Sequence, residues 1–323
     1  MATNEWTNMP IKRKRALLGT LLLAFIVSYL GAQSNLVRIA YLSLGYERTL
    51  DNYSQIDTTV TDVSATADPA DSSGVLLSAL FGLDDALPFM ASRVACEGAA
   101  GKDGMPVVFS HELNVQTVQP GDFKITAASG SVGKVTCSTL APADDPGERR
   151  TVLLIGQYGS IHDQPETVEI VGNVLSKDNS LNFKGASVAV TPLENGPSLV
   201  AAEFVPQTEW MLDHPGSTLP FGGGTGCPTG TRQIVRVTWE GGVTKPNGKD
   251  ADAVEGDLYE VTYELPTGPT TTRAPLALAD LGDGDNNHKL CLNSEDAVKA
   301  VSFPAGYLTD PRNDPNPATS VSL

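Results

Sequence analysis

Thr151-Val152-Leu153-Leu154-Ile155-Gly156 is the most apolar run of the chain outside the hydrophobic segment near its N-terminus. A polar turn from Pro142 to Arg150 precedes it, and a loop from Tyr158 to Asp163 follows. A short continuous apolar run between turn signals reads as a strand buried on both faces. Its neighbours then read as covering strands, at residues 106–110, 123–127, 133–137, 166–171 and 186–190, with 199–204 closing the set. Val168-Glu169-Ile170-Val171 and Val188-Ala189-Val190 alternate as half-buried strands do. Gln119-Pro120-Gly121-Asp122, Ser129-Gly130, Asp178-Asn179 and Glu194-Asn195-Gly196-Pro197 supply the turns. Short strands with a turn about every ten residues predict a β-sandwich over residues 90–205.

Outward from this body, Gly222-Gly223-Gly224-Thr225-Gly226-Cys227-Pro228 lies in a Gly-rich connection, 206–230, which reads as a domain boundary. A phosphate loop would need a strand before it and a helix after it; Pro228 and Gly230 follow instead. Residues 231–323 read as a second sandwich. Gln233-Ile234-Val235-Arg236-Val237-Thr238-Trp239 alternates, with Ile234 and Arg236 on one face and Val235, Val237 and Trp239 on the other. This makes Trp239 a core aromatic. Further strands are predicted at 258–264, 289–292 and 300–303. The expected fold is all-β, two Ig-like antiparallel β-sandwich domains preceded by an N-terminal hydrophobic helix.

That helix is the run from Ala16 to Ala32, which carries no charge and follows Lys12-Arg13-Lys14-Arg15. A basic flank before an apolar run is an export signal. Either it is cleaved after Ala32, or it stays as a signal anchor; 17 residues in a helix reach roughly 25 Å, the short edge for a bilayer. The flanking charge puts residues 1–15 inside and the remainder outside. Residues 33–89 read as a linker or stalk, because 51–73 hold almost no large apolar residue. Asn52-Tyr53-Ser54 within it is a glycosylation triplet. Residues 75–88 read as a short amphipathic helical turn entering the body.

Val107-Val108-Phe109-Ser110, then Val118-Gln119-Pro120-Gly121-Asp122-Phe123-Lys124-Ile125, then Thr151 to Ile155, then Val168 to Asp178, together resemble the bacterial Ig-like domains of S-layer and adhesion proteins. The resemblance covers about residues 105–205. It implies a sandwich used as a stalk, spacer or binder. The excursion from Gly130 to Arg150 and Cys137 depart from that pattern.

The chain has 323 residues and a net charge of −16, and the local +3 of residues 1–32 leaves −19 for the rest. A surface this acidic repels phosphate backbones, which argues against nucleic acid as a partner. The expected partners are a cell-surface or extracellular protein or glycan, and the membrane if the N-terminal segment is uncleaved. Four cysteines, Cys96, Cys137, Cys227 and Cys291, include no Cys-x-x-Cys pair. An even count in an exported chain favours disulfides, and two cysteines per predicted domain pair Cys96–Cys137 and Cys227–Cys291.

Candidate chemistry is sparse. Asp280-Leu281-Gly282-Asp283-Gly284-Asp285-Asn286-Asn287 places Asp283, Asp285 and Asn287 at alternate positions with Asp280 nearby, an arrangement suited to calcium. It is not an EF-hand, because His288 and Ser294 stand where that motif needs Gly and Glu. The opposing reading is an ordinary turn, and the Asp310 to Asn316 and Lys177-Asp178-Asn179 turns share the ambiguity. His111-Glu112, His162-Asp163 and His214 match no catalytic motif. The sequence therefore favours a non-catalytic exported spacer or binding module. The alternatives are a carbohydrate-binding or enzyme-accessory module, with Trp210, Trp239 and Tyr307 as platform candidates, and a secreted hydrolase.

Overall fold

The computed structural model describes residues 74–216 and 223–323. The predicted N-terminal helix, the signal or anchor at 1–32 and most of the 33–89 linker lie outside the described residues. The chain divides into two compact units, Met1–Glu47 and Arg48–Leu323, and every described residue belongs to the second.

The first β body contains β1 (Leu76–Leu80), β2 (Asp103–Phe109), β3 (Phe123–Ala127), β4 (Lys134–Thr139), β5 (Thr151–Gln157), β6 (Pro165–Ile170) and β7 (Ser187–Thr191). They form one seven-stranded sheet in the order β3-β6-β7-β1-β2-β5-β4. The sheet curls until its two edge strands meet, with Thr126 bridging Val132 and Gly133 N–H donating to Ile125 O at 2.9 Å. The enclosed core includes Val107, Phe109, Ile125, Val152, Leu154, Val168 and Phe183. Phe109 and Phe183 meet edge to face at 5.0 Å, the arrangement that aromatic quadrupoles favour. The deciding run is β5, paired with β2 and β4 and buried on both sides. Val152 and Leu154 fill the enclosed core. Ile155 and Leu153 pack outside against Leu87, Ala91, Ala99 and Cys137, a layer built around the short helix α1 (Ala91–Val94). The Cys96–Cys137 disulfide fixes that layer to β4.

The second body is two facing four-stranded sheets. One has the order β12-β13-β9-β8, from β8 (Leu199–Phe204), β9 (Gln233–Trp239), β12 (Ala277–Ala279) and β13 (Asn287–Leu292). The other has the order β11-β10-β14-β15, from β10 (Glu260–Glu264), β11 (Thr270–Arg273), β14 (Ala297–Phe303) and β15 (Thr319–Ser322). A second short helix, α2 (Ala253–Gly256), lies between β9 and β10. Between the sheets sit Val235, Val237 and Trp239 with Tyr259, Val261, Leu290, Val301 and Phe303. Trp239 is wholly buried and donates to Tyr259 Oη at 3.0 Å; that hydroxyl meets His288 Nδ1 at 2.7 Å. The architecture is all-β and sandwich-like.

Three expectations are corrected. Residues 75–88 are not a helical turn: β1 lies inside the first sheet, antiparallel to β2 and parallel to β7. Its Leu76, Ala79 and Leu80 are buried, and over so short an apolar run helical and strand spacings cannot be told apart. The β1–β7 pair also makes the first sheet mixed rather than wholly antiparallel. Third, residues 199–204 do not close the first body. β8 pairs antiparallel with β9, so the 206–230 connection runs between two neighbouring strands of one sheet. Long-range pairing of this kind has no local sequence signature.

Candidate functional site

The two bodies meet along a charged seam, built by the connection between β4 and β5. This arm, residues 140–150, is the polar turn that precedes the deciding strand. It is tied to its own body by Gly147 N–H donating to Glu112 Oε1 at 2.9 Å and by Leu113 N–H donating to Arg149 O at 2.7 Å. It then lies across the outer face of the β12-β13-β9-β8 sheet. Strand register on that face sets Glu203 beside Arg236 and Arg236 beside Lys289, with Ala279 next and Asp280 just beyond.

Glu148 descends onto this rank. Its Oε1 accepts from Lys289 Nζ at 2.9 Å and lies 3.6 Å from Arg236 Nε. Lys289 Nζ also donates to Asp280 Oδ1 at 2.7 Å. Arg236 Nη1 donates to Glu203 Oε1 at 3.1 Å and to Gly147 O at 2.8 Å. Arg150, from the arm, pairs with Glu203 as well. Gly147 is required here. Its φ is +92°, and a Cβ would stand 2.5 Å from Arg236 Nη2.

Burial dominates the electrostatics of the seam. Glu148 is 0% exposed, and burial followed by the neighbouring Asp280 pushes its carboxyl up to about 7 against the pull of Lys289 and Arg236. Asp283 is also pushed up to about 7, by burial and then by Glu148. Asp280 and Asp285 are raised, each mainly by burial. Burial works against the charge of Lys289, but Asp280 and Glu148 outweigh it and hold the ammonium above its ordinary range. Removing one member of such a group strands a partner charge away from water, which is far costlier than losing an exposed pair.

The four residues expected to hold calcium, Asp280, Asp283, Asp285 and Asn287, are buried together beside this seam. The loop's own hydrogen bonds use much of their capacity. Asp285 accepts from Asn287 N at 2.7 Å and Asn287 Nδ2 at 2.8 Å, and Asn287 Oδ1 accepts from Thr238 Oγ1 at 2.9 Å. Asp280 Oδ1 is taken by Lys289. Among the described residues, no three His, Cys, Asp or Glu side chains stand in the spacing of a formed metal cage. At the seam no N–H or O–H donor faces Glu148 Oε2, Asp280 Oδ2 or Asp283 Oδ2, and the Glu148 and Asp280 carboxyls are in hydrogen-bonding contact with each other.

Gly223 and Gly224 close the seam from above. A Cβ on Gly224 would come within 2.5 Å of Asp283 Oδ2, and one on Gly223 within 3.0 Å of Asp145 Oδ2. Thr225 then docks the segment: Asp280 N–H donates to Thr225 O at 2.8 Å, and Leu281 N–H to Thr225 Oγ1 at 3.2 Å. Close approach to carboxylates explains these two glycines, which the sequence offered only as a linker. Arg236 and Lys289 had a fainter signal: basic residues on strand positions whose companion, Ile234, is apolar.

The cysteines pair as Cys96–Cys137 and Cys227–Cys291. Cys227 and Cys291 pack with Val205 and Ile234, and Trp210 lies against this cluster with its indole N–H donating to Val205 O at 2.9 Å. Of the platform candidates, Trp239 is inside the core, Trp210 is half-buried and Tyr307 is exposed. His111 Nδ1 meets Ser110 Oγ at 2.9 Å, and His214 Nδ1 accepts from Gly216 N. Among the described residues no histidine is hydrogen-bonded to a carboxylate. An apolar cavity of about 220 Å³ opens at the seam between Leu80, Pro106, Leu140, Pro142 and Gly241. No described helix is long and apolar enough to cross a membrane.

The chain matches no protein-family profile. No curated protein matches it either. Among solved structures it is similar to the N-terminal part of the bacterial S-layer protein SbsC, with a TM-score of 0.26, 12% identity, and coverage of 70% of this chain and 45% of that one. It is similar also to the S-layer protein rSbsC(31-844), with a TM-score of 0.27, 12% identity, and 73% and 42% coverage. The chain spans less than half the length of each. These TM-scores are too low to carry function from those proteins to this one.

Proposed function

We propose that this chain is an exported, non-catalytic surface or secreted protein that serves as a structural spacer or adhesive module of two Ig-like bodies. The observation that supports this reading is the seam. The chain joins its two bodies through a network of Glu148, Arg150, Arg236 and Lys289 with the half-buried Glu203, and staples each body with a disulfide. A stiff, oxidised β protein suits a role outside the cytoplasm, where disulfides persist. The partners fitting this role are an extracellular protein or glycan, with the membrane reached through residues 16–32 if they remain attached. A carbohydrate-binding role would rest on Tyr307 and Trp210, and a hydrolase on a site outside the described contacts.

The test is location. The full chain with a C-terminal tag is expressed in a bacterial host, and intact cells and medium are treated with protease and with a membrane-impermeant thiol reagent. Protease-accessible or released protein with all four cysteines oxidised is expected. Protected cytoplasmic protein with free thiols would overturn the reading.

A further inference from the structure

Lys289, Asp280 and Glu148 form a closed triad inside the seam. Lys289 Nζ donates to Asp280 Oδ1 at 2.7 Å and to Glu148 Oε1 at 2.9 Å, and the two carboxyls are in hydrogen-bonding contact with each other. Two carboxyls in such contact share a proton, so one of them is an acid. The side chains of Asp280 and Glu148 are each 1% exposed, and that of Lys289 is 13% exposed. Asp280 stands just past the Ala279–Lys289 strand pair, in a left-handed conformation with φ +68°. With Nζ 2.7 Å from Oδ1, the nitrogen lies within about 4 Å of the Asp280 carboxyl carbon, because a C–O bond adds little more than about 1.2 Å. An amine, a carboxyl and a proton donor are therefore held together away from water.

We propose that Lys289 Nζ and Asp280 Cγ join in an intramolecular amide bond, with Glu148 as the catalytic acid and base. The Lys289 ammonium first gives a proton to the Asp280 carboxylate, leaving a neutral amine and a carboxylic acid. The nitrogen lone pair then attacks Cγ, the C–N bond forms, and the C=O electron pair moves onto oxygen. Glu148 takes a proton from the nitrogen and gives its own to the departing hydroxyl. The C–O bond breaks, water leaves, and Glu148 ends as the acid it was at the start. Nothing is oxidised or reduced, and no other reactant is needed. Burial and Arg236 both work against the charge of Lys289, and Asp280 and Glu148 sustain it. Once the proton has passed to Asp280 much of that support is gone, and burial holds the amine neutral. Fixing the reacting groups side by side supplies the proximity the step requires. Burial also favours the product, since a neutral amide replaces a desolvated ion pair. The bond closes the connection between β12 and β13, nine residues apart, at the floor on which the arm of the first body rests. The opposing state is a standing ion pair with a shared proton.

Mass spectrometry of the purified full chain, with its disulfides reduced, tests this. In a tryptic map, residues 274–299 should appear as one peptide, uncut after Lys289 and lighter than its sequence by one water. Fragmentation should place the link between Asp280 and Lys289. Asp280→Asn should close the same bond by losing ammonia and arrive at the same peptide mass. Asp280→Ala should keep its full mass and be cut after Lys289. Glu148→Gln, which retains an acceptor for Lys289, should slow closure in the freshly made chain by about a hundredfold or more. If that variant misfolds, the mass of the unaltered chain still decides. Full mass and ordinary cleavage after Lys289 in the folded, unaltered chain would overturn the proposal in favour of the ion pair. A link from Lys289 to Glu148 would overturn Asp280 as the reacting carboxyl, and unslowed closure in Glu148→Gln would overturn the role of Glu148. None of these results depends on where the protein resides.

Discussion

Glu148 Oε1 accepts a hydrogen bond from Lys289 Nζ at 2.9 Å across 141 residues of sequence. The contact brings a turn of the first body to the middle of a sheet in the second, and both groups are removed from bulk water. Glu148→Ala removes one acceptor from Lys289 and one charge beside Arg236, while Asp280 and Glu203 remain on them. The variant should lose roughly 1–3 kcal/mol in urea unfolding, the cost of a lost buried hydrogen bond to a charged group. A loss below 1 kcal/mol, on the scale of an exposed pair, would show the contact to be solvated.

Gly147→Ala tests the close approach of the arm to Arg236. Its φ of +92° is one that side chains rarely adopt, and the new methyl would meet the guanidinium. Strain alone is worth roughly 1–3 kcal/mol. Gly130→Ala is the control, with φ +84° but no atom within 4 Å. Denaturant midpoints should fall for both variants and clearly further for Gly147→Ala. Equal falls would mean that the arm does not press on Arg236.

Much of the fold can be read from strands whose burial leaves a continuous or alternating apolar pattern, as β5 and β9 do. Trp239 belongs to that group. The site is far less legible. Glu148 and Arg150 sit in a stretch of Pro, Asp and Gly that reads as any solvated turn; only the approach of the second body buries them. Gly223 and Gly224 look like a flexible linker until Asp145 and Asp283 are placed against them. Asp280, Asp283, Asp285 and Asn287 stood out in the sequence, yet their partners Lys289 and Thr238 follow from strand register. The sheet positions of β1 and β8 are hidden in the sequence for a related reason, since each is set by strands distant in sequence.

His288 supplies a pH dependence with a definite sign. Burial lowers its imidazole from 6.5 to about 4. The depressed folded value means that its contribution is fully present above pH 6.5 and is lost as pH falls toward 4. The shift corresponds to about 3 kcal/mol. Unfolding midpoints of the unaltered chain and His288→Gln should therefore converge between pH 6.5 and 4.5. The difference isolates His288 from carboxylates that titrate in both proteins. Parallel profiles would show that the imidazole has the same pKa in the folded and unfolded chains.

The Cys227–Cys291 disulfide closes a segment of 64 residues and holds the long β8–β9 connection on the sheet. In the chain-entropy description it contributes about 4 kcal/mol. Replacing both cysteines by alanine should lower the melting midpoint by several degrees or more. It should also make the connection between Phe204 and Gln233 the first site of limited proteolysis. Cleavage elsewhere first would argue that Trp210 and Val205 alone secure it.

Native-state hydrogen exchange bears most directly on the seam as the joint of the molecule. The amides of β5 in the first body and β9 in the second would be followed in low denaturant, for the unaltered chain and for Glu148→Ala. If the seam couples the bodies, the slowest amides of both strands exchange with one common free energy and denaturant slope in the unaltered chain. They separate into two values when Glu148 is removed. Two distinct values already present in the unaltered chain would contradict the account.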